Sequence, residues 1–392
     1  MSGALFLGWR YLAHHRFKSS ILIASITLMM FLPAVTRLLV DDSATALTAR
    51  ADKTPLILGA RGSELELVLN TLYFHAESPT EIENRILVEA QSTNLAQFIP
   101  LHAAFHAQGA PIVGTSPAYF DFRGLKIVSG RQLGLLGECV IGANVATRLG
   151  LGPGDAIISS PETVFDIAGV YPLKMTVVGV LGAAGSADDD AVFVDVRTSW
   201  IIQGLGHGHD DVAGSEAGSA VLSRRDDMVT ANASLTQFAE ITRDNISAFH
   251  FHGSAESFPL TSIIAVPPDQ KNAALLRGRY QGNEVRQLVV PGAVLDDLLE
   301  TVFAVQNYVI LGLVLLAFAT VAVITLVFLL SKQLRKGEFR TLLRIGASRS
   351  YVSTLVASEI VFVFLVSAML AAALTLIARH FAMQMLQAFL TL

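Results

Sequence analysis

From Val309 to Leu330 the chain reads VILGLVLLAFATVAVITLVFLL, 22 residues without a charge. At about 1.5 Å of rise per residue, a helix of that length crosses a hydrocarbon layer about 30 Å thick. The composition then inverts. Lys332, Arg335, Lys336, Arg340, Arg344 and Arg349 crowd one short segment in which Glu338 is the sole opposing charge. A second uncharged run, IVFVFLVSAMLAAALTLIA, follows from Ile360 to Ala378. Two spans joined by a basic loop read as a hairpin whose loop stays in the cytoplasm, the side on which Lys and Arg are retained.

A third apolar segment lies near the start. SSILIASITLMMFLPAVT, Ser19–Thr36, follows Arg10, Arg16 and Lys18 and precedes Asp41 and Asp42. The basic flank holds the N-terminus inside, so this segment leads outward. Residues from about Asp41 to Gln306 must then lie outside, because the next span has to return. Pro33 is tolerated in a membrane helix although it breaks one in water. A cleaved signal peptide, with SATALTA as the cleavage region, is the competing reading; the length of the segment and the charge of Arg37 speak against it. Arg37 at the outer end is expected to snorkel to the head groups. Ahead of the span, MSGALFLGWRYLAHHRFK sets Leu5, Trp9 and Leu12 on one helical face, as in a helix lying on the inner membrane surface.

The composition agrees: 52% of the residues are hydrophobic and 16% charged. Basic residues gather in the inner segments and acidic ones in the outer segment, a distribution that gives no sign of nucleic-acid binding. The single cysteine, Cys139, excludes an internal disulfide. The outer segment is long enough for its own core. Within it Glu138–Ala143 reads as a strand leading into a short helix over Asn144–Gly150, and Gly152–Asp155 as a turn. Lys174–Leu181, Ala191–Val196 and Leu260–Val266 are apolar and β-branched, as strands are, and GAAGSADDD between the first two is a loop. Glu64–Phe74 has the spacing of an amphipathic helix.

Gly130-Arg131, Val140-Ile141-Gly142, Ala146, Leu149-Gly150-Leu151, Gly154-Asp155 and Val177-Val178-Gly179-Val180 occur in that order, between one span and a span–loop–span unit. In this arrangement the chain resembles the FtsX/MacB-like ABC transporter permeases, also called the type VII or mechanotransmission class. KQLRKGEFRTLLRIGASRSYVSTLVASE, Lys332–Glu359, is similar to the family's Arg, Glu, Leu, Gly-Ala-Ser and Glu signature after the second span. A narrower likeness, carried by YLAHHR, PLILGARGSELELVLNTLYF and FHFHG…FPLT, is to a subgroup associated with metal-responsive gene sets or taken for lipoprotein-release permeases.

The resemblance implies a membrane α-helical protein with three transmembrane helices and a large extracytoplasmic mixed α/β domain in two lobes. The expected order is a surface helix over 1–18, a span over 19–40 and the outer domain over 41–292, with a β-rich inner lobe over about 130–200. A stalk and second span over 293–330, a coupling loop over 331–350, a third span over 351–379 and an outer tail over 380–392 complete it. The stalk includes Gly292–Val305. The family usually has a fourth span, for which the 14 residues after Ala378 are too few. The implied function is that of a non-catalytic permease subunit in a bacterial cytoplasmic (inner) membrane. It would couple a separate cytoplasmic ABC ATPase to movements of the outer domain and act on an envelope substrate such as a lipoprotein, a lipid or a metal-linked cargo. Its implied partners are the lipid bilayer, a second copy or a paired permease, and an extracytoplasmic binding protein.

No GxxxxGK[ST] occurs, so a nucleotide-binding P-loop must come from a separate subunit. Arg335, Lys336, Glu338, Arg340, Arg344 and Gly346 are the candidate ATPase-coupling residues. Between Leu334 and Ile345 the apolar Leu334, Leu342, Leu343 and Ile345 interleave with basic residues, and Gly346 can end a helix in a left-handed cap. A loop that only held topology would need the charges but not the Leu, the Ile or Glu338. Glu359, two turns into the third span, is either a functional acid or the partner of Arg344 or Arg349.

Seven histidines fall in the outer segment: His75, His102, His106, His207, His209, His250 and His252. In a strand His250 and His252 share a face; His102 and His106 would share one on a helix. His207-Gly-His209-Asp210-Asp211 sets two imidazoles beside two carboxylates. His207, His209, His250 and His252 are therefore a candidate site for zinc or another divalent metal, although scattered polar histidines are commoner. No HExxH and no GxSxG elbow is present, which excludes those catalytic classes. The rival to a permease is a membrane-anchored metal-binding or sensing protein that works without an ATPase.

Overall fold

The computed structural model describes residues 2–74, 79–160, 172–208, 221–225, 228–231 and 239–390. The described helices are α1 (Ser2–His14), α2 (Arg16–Asp52), α3 (Glu64–Tyr73), α4 (Asn84–Gln91), α5 (Ala118–Arg123), α6 (Ala143–Leu149), α7 (Val196–Ile202), α8 (Gln270–Tyr280), α9 (Pro291–Leu334), α10 (Lys336–Arg344) and α11 (Arg349–Leu390). The chain forms two compact units, one of Met1–Leu47 with Asp297–Leu390, the other of Thr48–Asp296.

The first unit is helical. α2, α9 and α11 are the described helices long and apolar enough to cross a membrane. Each runs beyond the apolar stretch that marks it in sequence. α9 takes the expected stalk and second span into one 44-residue helix. α11 continues to Leu390, so the expected outer tail extends the third span's helix instead of folding aside; from Arg379 to Leu390 there is no Gly or Pro to stop it. α1 ends at His14, short of the expected 18, and lies along α11. There Trp9 meets Phe362 edge-on at 4.7 Å between ring centroids. Gly8 permits this approach: a Cβ there would fall 2.5 Å from Ser358 Oγ. Leu22, Ile26, Ile324 and Val363 form the unit's buried core. At one end Arg379 donates to both carboxylate oxygens of Asp42, at 2.8 and 3.2 Å.

The second unit is built on one sheet. Its strands are β1 (Leu56–Ala60), β2 (Ile82–Glu83), β3 (Gln97–Ala107), β4 (Ala110–Thr115), β5 (Ile127–Gly130), β6 (Glu138–Ile141), β7 (Ala156–Ile158), β8 (Leu173–Leu181) and β9 (Val192–Asp195). β10 (Gly206–Gly208), β11 (Val221–Arg225), β12 (Met228–Ala231), β13 (Ala239–Glu240), β14 (Phe249–Phe251), β15 (Pro259–Leu260), β16 (Ser262–Val266) and β17 (Arg286–Val289) follow. Eleven strands join in the order β13-β8-β6-β9-β4-β3-β16-β1-β17, with β5 and β7 also paired to β8. The remaining strands make three two-stranded ribbons, β10–β14, β11–β12 and β15–β2.

Both faces of this sheet are covered. In β6, Cys139 and Ile141 enter one core cluster while Val140 enters another; in β9, Val192 and Val194 part from Phe193 in the same way. Such strands read as continuous apolar runs because the period of two delivers every residue to a core. At the other end of the sheet two helices are capped locally: Ser63 Oγ accepts from Glu66 N–H at α3, which packs on β1, and Asp269 accepts from Asn272 N–H at α8, which packs on β17.

Two expectations are corrected here, and the segment of His102 and His106, left open in sequence, is decided. The β-rich stretch over about 130–200 is not a lobe of its own. β9 pairs in parallel with β4, from Ile112↔Val192 to Thr115↔Asp195, and that pairing fuses it with the strands on either side of it in sequence. Leu260–Val266 is two strands, β15 and β16, parted at Thr261, whose N–H is held by Leu101 O. His102 and His106 lie on β3, a strand and not a helix.

Candidate functional site

Arg335 occupies the joint between α9 and α10. Its Nη1 donates to both oxygens of Glu359, at 2.8 and 3.0 Å, and its Nε donates to Glu338 at 3.1 Å. The guanidinium lies over the Tyr11 ring, 3.6 Å from its centroid, and 4.9 Å from that of Phe339. One cation thus ties α1, α10 and α11 together, with only 11% of the Arg335 side chain and 6% of the Glu359 side chain exposed. Glu359 is therefore paired with Arg335, and not with the expected Arg344 or Arg349. The three-residue offset that brings Glu338 back to Arg335 is the ordinary one between neighbours on a helix.

The other candidate coupling residues face outward. Lys336, Glu338, Arg340, Arg344 and Gly346 are exposed, and Gly346 follows α10 with φ +99°. Leu343 and Ile345 are exposed beside them, Ile345 by 75%, while Phe339 is buried. α10 is a nine-residue helix with its aromatic face inward and a basic, partly apolar face outward.

In the second unit, the end of α2 is fixed by a buried cluster absent from the expectations. Arg50 donates to both Asp188 oxygens and, at 2.8 Å, to Tyr119 OH, which itself donates to Asp188 Oδ1 at 2.7 Å. Burial alone would raise the Asp188 carboxyl, but the neighbouring Arg50 charge and these hydrogen bonds hold it below the usual carboxylate range. The GAAGSADDD stretch is accordingly not a plain loop. Ser186 and Asp189 close a capping box around a 3-10 turn that aims Asp188 inward. Its signal was present, since Ser186-Ala-Asp-Asp189 fits the [ST]-x-x-[DE] pattern.

The histidines separate. His207, His250 and His252 converge on the β10–β14 ribbon, where His207 stands directly opposite His250. Their nearest ligand nitrogens all lie within 4.8 Å of one another, and the three side chains are exposed. His209, Asp210, Asp211 and His75 lie outside the described residues. His102 is fully buried, its Nδ1 2.8 Å from Ser199 Oγ and its Nε2 3.5 Å from Glu81. This Ser–His–Glu order resembles a catalytic triad. Ser199 is itself fully buried and donates to Val196 O, so the His102–Ser199 contact braces β3 against α7. His106 lies further along β3 and does not join the other histidines.

Three helices long and apolar enough to span a bilayer, with a sheet-based α/β domain inserted between the first and second, define a membrane-anchored protein with one large domain. The model of the MacB-like periplasmic core domain matches residues 21–239. The chain belongs to that family, and with it to the MacB/FtsX-like ABC transporter permeases that carry a large extracytoplasmic domain. Among solved structures it is similar to the periplasmic region of MacB from Actinobacillus actinomycetemcomitans, at 14% identity and a TM-score of 0.33, over 62% of this chain and 92% of that one. It is also similar to the extracellular domain of the noncanonic ABC-type transporter YknZ from Gram-positive bacteria, at 12% identity and a TM-score of 0.31, over 60% and 98%. No curated protein matches the chain.

Proposed function

We propose that this chain is the permease subunit through which a separate cytoplasmic ABC ATPase moves an extracytoplasmic domain acting on a lipid, a lipoprotein or another envelope cargo. The observation that carries this reading is α10: a short helix whose exposed face mixes Arg340 and Arg344 with Leu343 and Ile345, and whose inner face is riveted by Arg335 to Glu359 of α11. An apolar ridge in a basic rim suits a docking surface, since apolar contact supplies affinity and the charges supply orientation. Arg335 then serves as the joint behind that surface and not as part of it: a push on α10 reaches α11 through a short, buried, two-point ion pair.

The test is affinity purification of the tagged chain from native membranes, with the recovered proteins identified by mass spectrometry. The wild-type chain is expected to bring down a P-loop ATPase. The R340E/R344E variant is expected to insert normally and lose it. Undiminished recovery with the variant would overturn the assignment of α10 as the docking element.

A further inference from the structure

β10 and β14 form a ribbon with two unlike faces. Phe249 and Phe251 pack toward the core, where the Phe251 ring lies 6.4 Å from that of Trp200 and 5.7 Å from that of Phe258. Opposite these rings stand Gly206 and Gly208. A Cβ on Gly206 would fall 2.8 Å from the Phe251 ring, and one on Gly208 2.7 Å from that of Phe249. Neither position accepts a side chain unless a ring moves. The strand period of two then sends His207, His250 and His252 to the other, exposed face, and the hydrogen bond from His252 N–H to Leu205 O carries the pairing one residue past the ribbon's end.

On that face the three rings stand together, with centroids 5.2 Å apart for His207 and His250, 4.6 Å for His207 and His252, and 4.8 Å for His250 and His252. The Nε2 atoms of His207 and His252 are 3.4 Å apart. Tetrahedral zinc with Zn–N bonds of about 2.0–2.1 Å holds two ligand nitrogens roughly 3.3–3.4 Å apart. His250 faces both of the others, with its Nδ1 3.3 Å from Ala248 O.

We propose that His207, His250 and His252 bind a divalent transition-metal ion of the zinc type; no fourth His, Cys, Asp or Glu ligand joins them among the described residues. Three imidazoles without a thiolate suit Zn²⁺, Ni²⁺ or Cu²⁺ and disfavour Mg²⁺ and Ca²⁺, which require oxygen ligands. The ribbon supplies two ligands from one strand and a third from its partner, so the site is held by backbone pairing and by the phenyl rings beneath it. This inference is independent of the transport reading.

The experiment uses the full chain in detergent, stripped of metal by dialysis against a chelator. Zn²⁺ is titrated in competition with a chromogenic chelator, and bound metal is measured by atomic emission. The expected result is one Zn²⁺ per chain, with the visible ligand-field absorption of tetrahedral Co²⁺ when cobalt replaces zinc. Losing an outer partner of a metal ligand commonly costs about 10–100-fold in affinity, so H207A, H250A and H252A should each cost at least that, and the triple variant should not bind. H250Q and H252Q, which keep a polar side chain, should show the same loss with an unchanged melting curve in chelator. H14A/H15A should bind as the wild type does. Failure of the wild-type chain to bind Zn²⁺, or wild-type affinity in the triple variant, would overturn the proposal.

Discussion

Arg335 and Glu359 show how one pair of residues can settle what a segment does. Both are charged, both lie at the edge of an apolar span, and sequence position alone offers Glu359 several basic neighbours. Burial decides between them: Arg335 is enclosed by Tyr11, Phe339, Glu338 and Glu359, while Arg344 and Arg349 remain exposed. Removing one partner of a buried pair leaves an uncompensated charge, an effect of about 3–5 kcal/mol. R335Q and E359Q should therefore each lower the unfolding midpoint in detergent, and R335Q/E359Q should lower it by less than the sum. Additive losses would mean that the two side chains act independently. Asp188 makes a second residue-scale prediction. Its carboxyl is held below the usual range in the folded domain, so the stability it adds is present above about pH 4 and is lost as pH falls through the folded value. D188N should lower stability near neutral pH and flatten its decline under acid, as read from near-UV circular dichroism of the full chain. An unchanged acid slope in D188N would mean that other carboxylates carry the effect.

At the scale of elements, α10 and β3 show which patterns can be read directly. α10 is brief, and its alternation of basic and apolar residues already implies a helix with one side committed to the protein. The structure adds that Phe339 is the committed side and that Leu343 and Ile345 are not. If these two form the apolar ridge of the docking surface, L343S/I345S should reduce recovery of the ATPase as strongly as the charge reversal does, while the Arg335–Glu359 pair and membrane insertion survive. Unchanged recovery would leave the contact to charge alone. β3 was less legible. An i, i+4 spacing puts His102 and His106 on one face of a helix, but an even spacing does the same in a strand, so the pair cannot tell the two apart. What decides is the company. Gln97–Ala107 pairs with β16 on one side and β4 on the other, and the Gln108-Gly109 turn, at φ 49° and 82°, has the type I′ geometry of a tight hairpin.

For the whole molecule, charge asymmetry around the spans predicts that the large domain lies outside the cytoplasm. A reporter inserted after Gly282, an open turn between α8 and β17 at φ +74°, should be active if it works outside the cytoplasm and silent if it works inside. The opposite result would invert the architecture. The sequence by itself determined the three apolar helices, the basic segment between the last two, the short strands β6, β8 and β9, and the membership of His207, His250 and His252 in one candidate set. These follow from local chemistry: uncharged length, clustered charge and period-two apolar runs act over a few residues and need no distant partner. Only the tertiary structure decided that the β-rich stretch joins one sheet through β4 and β9, that Arg335 turns inward to Glu359, that Arg50 meets Asp188, and that His102 is sealed against Ser199 while three other histidines share an exposed face. Each of these joins residues far apart in the chain. Which of several chemically equivalent partners is chosen depends on the packing of the cores, and no short stretch of sequence carries that information.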